Sequence, residues 1–183
     1  MGNVLSSKLP SKRKALKLLR KHHVQISIRH HSIEVANTAK ELMRKIKNLE
    51  DLNINKDLVI IGALLHDIGR SRTHSLKHAY IGGKIIKSLG YPESLARICE
   101  THVLGGLDKE DAEEAGLPSK NFLPETLEEK IVCLADKLTM GKNRVTIEQR
   151  FKYWFSKYGR SELLLKSKKR VKVIEEEIKR LMN

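Results

Sequence analysis

An imidazole and a carboxylate stand side by side at His66-Asp67, directly after the run Leu58-Val59-Ile60-Ile61-Gly62-Ala63-Leu64-Leu65, which has no polar side chain. Such a run belongs in a core, and an ionised Asp carried into a core needs strong compensation. A divalent cation is the most capable partner for Asp67, and a neighbouring Lys or Arg is the plainer one. Adjacent His and Asp reach one metal together where a helix end tilts, and Gly69 is placed to end that helix.

Other residues of the same chemistry are scattered along the chain. His31 lies four residues before Val35, on the stripe Val35, Thr38, Leu42 and Ile46, whose spacings of three and four read as one helix face. His30 points about 100° away, toward solvent. Asp136 is the one carboxylate in Ile131-Val132-Cys133-Leu134-Ala135-Asp136, on a helix that Thr126-x-x-Glu129 starts as a capping box. His78 aligns with Ile81, Ile85 and Leu89, and His102 follows Leu95, Ile98 and Cys99, so both face inward. Each of these, taken singly, also reads as a hydrogen-bonded core residue. His74 reads as an exposed loop residue, and His22 and His23 as surface.

In order, His31, His66-Asp67 and Asp136, with 35 and 69 residues between successive ligands, resemble the HD superfamily of metal-dependent phosphohydrolases. His66-Asp67-Ile68-Gly69 matches the subgroup named for those four letters, over roughly residues 29–144. The resemblance implies an all-α HD-domain helical bundle in which His31, His66, Asp67 and Asp136 hold one metal. The layout is similar to dinuclear members such as the bacterial family that hydrolyses diadenosine tetraphosphate symmetrically. That similarity adds His78 and His102 for a second ion, with Asp67 bridging. One or two divalent transition metals are therefore expected, and imidazole with carboxylate and no thiolate suits Fe, Mn, Zn, Co or Ni. A metal-bound hydroxide would attack phosphorus, and Arg70 and Lys137, beside the ligands, would join Asp67 as catalytic groups by balancing phosphate charge. Many members carry Lys where Arg70 stands. Arg72, Lys142 and Arg144 read equally as solvated residues.

The elements that must carry these residues are helical throughout. Spacings of three and four predict helices over 12–22, 28–48, 57–68, 76–89, 92–103, 108–115, 127–140, 147–157 and 162–182. A chain of 183 residues buries one good core. The expected division is a basic N-terminal helix over 1–25, an HD domain over 26–145 and a C-terminal helical extension over 146–183. Gly82-Gly83, inside a helical pattern, reads as a site of close helix packing. Residues 116–125, with Pro118 and Pro124, read as a loop. Cys99 and Cys133 lack metal-finger spacing and read as reduced core residues.

The formal charge is +14, with seven basic residues and no acid over 8–21 and five basic residues over 166–172. Such a field steers anions, whether a small phosphorylated substrate, above all a nucleotide, or nucleic acid. Aromatic residues are few; Phe151, Tyr153, Trp154, Phe155 and Tyr158 fall in one segment. They read as packing against the domain or a homodimer partner, with base stacking as the alternative. No apolar stretch approaches the roughly 20 residues of a membrane span, and a cytoplasmic protein is expected. The reading is a phosphomonoesterase or phosphodiesterase on a nucleotide or other small phosphate ester. The alternatives are a nucleic-acid-binding or regulatory module without catalysis, and a di-iron oxygenase of the same superfamily.

Overall fold

The computed structural model describes residues 8–183, so the first seven residues of the expected 1–25 segment lie outside it. The helices are α1 Lys12–Lys21, α2 Ile26–Lys45, α3 Lys56–Leu65, α4 His78–Ser88, α5 Glu93–Thr101, α6 Lys109–Glu114, α7 Leu127–Lys137, α8 Ile147–Tyr158 and α9 Glu162–Arg180. Short 3-10 turns cover Ile68–Ser71 and Val103–Gly105. The fold is all-α, and among the described residues the one sheet is the two-residue pair β1 Thr139–Met140 and β2 Asn143–Arg144.

Local chemistry sets the helix starts. Ser11, Asn55, Asp108, Thr126, Thr146 and Ser161 each accept a hydrogen bond from a backbone N–H of the first turn. The reciprocal capping box forms at Thr146 and Gln149. At Thr126 only half of it forms, because the Glu129 carboxylate turns to the backbone N–H of Glu125 (2.8 Å).

The apolar run around Leu58–Leu65 is the central helix α3, and it packs against α1, α2, α5 and α7. One contiguous core joins Leu19 of α1, Val35 of α2, Leu65 of α3, Ile98 of α5, Leu134 of α7, Phe151 of α8 and Ile178 of α9. The terminal helices thus share the core that positions the site. Both cysteines are buried free thiols, and burial raises the Cys133 thiol to about 11.

Two expectations need correction. The helix expected over 127–140 ends at Lys137, and residues 139–144 form a β-hairpin around Gly141, whose φ of 62° suits glycine. Lys142 and Arg144 therefore do not follow Asp136 on helical turns. Arg144 reaches α2 instead, donating to the Glu34 carbonyl (3.1 Å) and the Glu41 carboxylate (3.0 Å). Nor does Gly69 end α3, which stops at Leu65. Gly69 lies where the turn after Asp67 meets α4: a Cβ there would fall 2.6 Å from the Gly82 nitrogen and closer still to the His78 carbonyl oxygen. Gly82 is the other half of this contact, so close packing is the role of both.

The basic C-terminal run is largely paired within the chain. Lys166 bonds Asp111, Arg170 bonds Asp108 and Asp111, and Lys168 and Lys172 bond Glu148. Arg170 also donates to the Gly106 carbonyl (3.1 Å), so α9 braces the segment that follows His102. This use of the positive charge is structural.

Candidate metal centre

Five helices bring six donors together. α2 carries His31, the end of α3 carries His66 and Asp67, α4 begins with His78, α5 ends before His102, and α7 carries Asp136. Their ligand atoms form overlapping groups, within 4.8 Å of one another: His31, His66 and Asp67; His66, His102 and Asp136; Asp67, His78 and His102. Asp67 lies between two lobes. One Asp67 oxygen is 3.1 Å from His78 Nε2 and 3.4 Å from His102 Nε2, and the other is 3.7 Å from His66 Nε2. Asp136 Oδ1 is 2.9 Å from His31 Nε2 and 3.8 Å from His66 Nε2.

The histidines share one local device. His66, His78 and His102 each direct Nδ1 at the carbonyl oxygen three residues earlier, Ala63, Ser75 and Cys99, all at 2.7 Å. His31 Nδ1 meets the Gly141 carbonyl at 3.2 Å. A carbonyl accepts only, so Nδ1 carries a proton in each ring, and His66, His78 and His102, when neutral, turn a bare Nε2 toward the centre. His102 stays neutral, because burial lowers it to about 3, and burial lowers His66 as well. His31 is raised, because the bond and charge of Asp136 outweigh the effect of burial.

Both carboxylates stay ionised. Both lie well below the ordinary range despite their burial; the Arg70 guanidinium stands on Asp67 and the Lys137 ammonium beside Asp136. The consequence is an electrostatic misfit within the chain. His78 Nε2 and His102 Nε2 face each other at 3.1 Å, and His66 Nε2 and Asp67 Oδ1 are buried without a hydrogen-bond partner. Lone pairs aimed at lone pairs and at an anion are an arrangement that a cation between them would relieve. The donor set fits divalent metal ions of the imidazole–carboxylate class.

Two cations of the chain stand at this centre. Arg70 Nε donates to Asp67 at 2.8 Å. Lys137 is buried, donates to the His102 carbonyl (2.9 Å) and pairs with Asp136. Both line a cavity of about 500 Å³ that opens from the donors to solvent. His74 lines it too, at the exposed rim, whereas Arg72, Lys142 and Arg144 do not.

Arg150 is a site residue that sequence reasoning missed. From α8 it donates to the backbone carbonyls of Asp136 (3.0 Å) and Lys137 (3.1 Å), and also to that of Thr139. These are carbonyls left open where α7 ends, so Arg150 caps the helix that presents Asp136. Replacing it takes a donor from each of them, and among the described residues only the Asp136 carbonyl keeps a backbone N–H, that of Leu138. Arg150→Ala is expected to lower unfolding free energy by roughly 3 kcal/mol, as read from urea denaturation of the metal-free protein. The five aromatic residues of 151–158 divide as well. Phe151, Trp154 and Phe155 pack on the core, Tyr153 and Tyr158 are exposed, and Trp154 and Tyr158 line the cavity.

With this geometry in view, the family model described as HD domain matches residues 28–141. An uncharacterized protein of Methanocaldococcus jannaschii is 42% identical over 169 residues, covering 92% of this chain and 97% of that protein. A tRNA (cytidine(56)-2'-O)-methyltransferase of Thermoplasma volcanium is 36% identical over 141 residues, and the match spans 40% of that relative's length. The solved HD domain of the L. monocytogenes phosphodiesterase PgpH, in complex with cyclic-di-AMP, shares the fold. Its TM-score is 0.52 at 18% identity, over 90% of this chain and 93% of that one.

Proposed function

The chain belongs to the HD domain family, and from that membership and the donor geometry we propose that it is a metal-dependent phosphohydrolase acting on a nucleotide or another small phosphate ester. One observation carries the reading. Three buried imidazoles, each with its Nδ1 proton given to a carbonyl, converge their bare nitrogens on an ionised Asp67. The two lobes support two ions, with His31, His66 and Asp136 on one, His78 and His102 on the other, and Asp67 shared. Bound there, divalent ions polarise a phosphoryl oxygen and acidify a water at neutral pH.

The remaining work falls to the chain itself. Arg70 holds Asp67 through Nε and lines the cavity, where its guanidinium would meet a phosphoryl oxygen with a planar set of donors that orients as well as attracts. Lys137 bonds Asp136 and the His102 carbonyl and lines the cavity, so its charge would act on a phosphate there. His66 and His102 are buried behind the cavity, which leaves the donors open to solvent and substrate from one side.

Elemental analysis of protein purified without chelator is the test. About two metals per chain are expected, falling to about one in His78→Ala and in His102→Ala. The loaded protein should hydrolyse p-nitrophenyl phosphate or its bis ester equally well with and without oxygen. Absence of metal after reconstitution with Mn, Fe, Zn, Co and Ni in turn would overturn the reading. Turnover that requires oxygen would replace hydrolysis with oxidative cleavage.

A further inference from the structure

The helix that caps α7 also builds one wall of the cavity, and it lies beyond the segment that matches the HD domain. On α8, Arg150, Trp154 and Tyr158 recur at spacings of four, which puts them on one face. All three line the cavity, and they are graded from its floor to its mouth: Arg150 is buried, Trp154 half-buried and Tyr158 61% exposed. Arg150 gives Nε and Nη2 to backbone carbonyls and lays its guanidinium 5.3 Å from the Trp154 ring centroid, and beyond it the face presents two aromatic side chains to the cavity. The indole lies close to the reacting end, with Lys137 Nζ 6.0 Å from its ring centroid, and Lys137 in turn pairs with Asp136.

Packing alone does not account for this face. Phe151 and Phe155, on the neighbouring face of α8, share the core contacts with part of Trp154, and Phe151 meets Trp154 edge-on at 5.1 Å. The indole thus has Phe151 at its edge and the Arg150 guanidinium over its ring, and it still borders the cavity, where a ligand ring would meet it. Tyr158 adds a second ring one turn farther out, in contact with Lys157 (5.1 Å to the centroid) and with no aromatic partner among the described residues. Gln25 and Ser27, at the start of α2, line the same cavity, and Gln25 makes no side-chain cap bond. An amide and a hydroxyl beside two rings that line one cavity are what a flat, polar-edged heterocycle needs.

We propose that Trp154 and Tyr158 stack the nucleobase of a nucleotide whose phosphate sits at the His–Asp centre, so that α8 sets specificity for nucleotides over base-free phosphate esters. This rests on the phosphohydrolase reading and names its substrate class. The phosphate end supplies charge recognition common to all phosphate esters, and the aromatic face adds a contact only a base can make. Stacking of this kind tightens binding on the order of tenfold.

Trp154 is the only tryptophan of the chain, so intrinsic fluorescence reports directly on this wall. Metal-loaded protein would be titrated with the non-hydrolysable phosphonate analogue of AMP and, in parallel, with the phosphonate analogue of ribose 5-phosphate. The base-bearing ligand is expected to change Trp154 emission and to bind about tenfold more tightly than the base-free one. By calorimetry, Trp154→Leu should bring the two affinities together, Trp154→Phe should restore most of the difference, and Tyr158→Leu should remove part of it. Metal content should stay at the native value in all three variants.

Equal affinities for the two analogues in the native protein would overturn the proposal, as would a preference that survives Trp154→Leu. Binding of neither analogue to protein that holds its metals would also sink it while leaving the metal centre intact. Failure of the underlying reading looks different: no metal is retained and no p-nitrophenyl ester is hydrolysed.

Discussion

Gly69→Ala is expected to unfold the metal centre and to lower the stability of the metal-free protein by about 3 kcal/mol or more. The added methyl would stand 2.6 Å from the Gly82 nitrogen and closer to the His78 carbonyl oxygen, and both atoms belong to backbone. No rotamer change relieves a clash with backbone. Either α4 moves off the 3-10 turn at Ile68–Ser71 or that turn moves off α3. In the first case His78, the opening residue of α4, leaves Asp67; in the second Asp67 leaves His66 and His102. Both arms are measurable together, by urea denaturation of the metal-free protein and by metals per chain after reconstitution. A variant with native stability and native metal content would show that the turn and α4 are not in the contact described.

Asp67→Asn separates chemistry from folding. Asn has nearly the shape of Asp, so the metal-free protein should keep its unfolding midpoint, in contrast to Gly69→Ala. The carboxylate, however, faces His66, His78 and His102 and is held by Arg70, and the amide lacks its charge. Metal content is expected to fall below about one ion per chain, since the group shared by both lobes is lost. Hydrolysis should drop about 10³-fold or more, equivalent to roughly 4 kcal/mol of lost transition-state stabilisation. Metal retained at the native level in Asp67→Asn would remove Asp67 from its central position.

The donors themselves were legible because buried polar residues stand out against apolar runs. His66-Asp67 closes a run of apolar residues, Asp136 closes another, and His31, His78 and His102 each continue an inward helical face; the structure brings these six together. Gly82-Gly83 was legible as a packing site for the same reason, small residues on an inward face. The boundary of α7 was not, because the apolar pattern runs through Leu138 and Met140 while the hairpin at Gly141 is decided by pairing with residues 143–144. Arg70 and Lys137 could be placed at the centre by adjacency to ligands. Arg72, Lys142 and Arg144 carry the same charge with no such anchor, and none of the three reaches the cavity.

By itself, then, the chain order of residues determined an all-helical protein with its His and Asp donors on inward faces, since helix periodicity and the cost of burying a charge are local properties. Only the tertiary structure decided which carbonyl takes each Nδ1 proton at long range, as Gly141 does for His31, and why Gly69 cannot carry a side chain. It alone turned Arg150 into the cap of α7, directed Trp154 and Tyr158 into the cavity, and matched the basic residues of α9 to Asp108, Asp111 and Glu148. Each of these depends on which distant segment lies opposite. Helical periodicity says which way a side chain faces, and the packing of one helix on another says what it meets there.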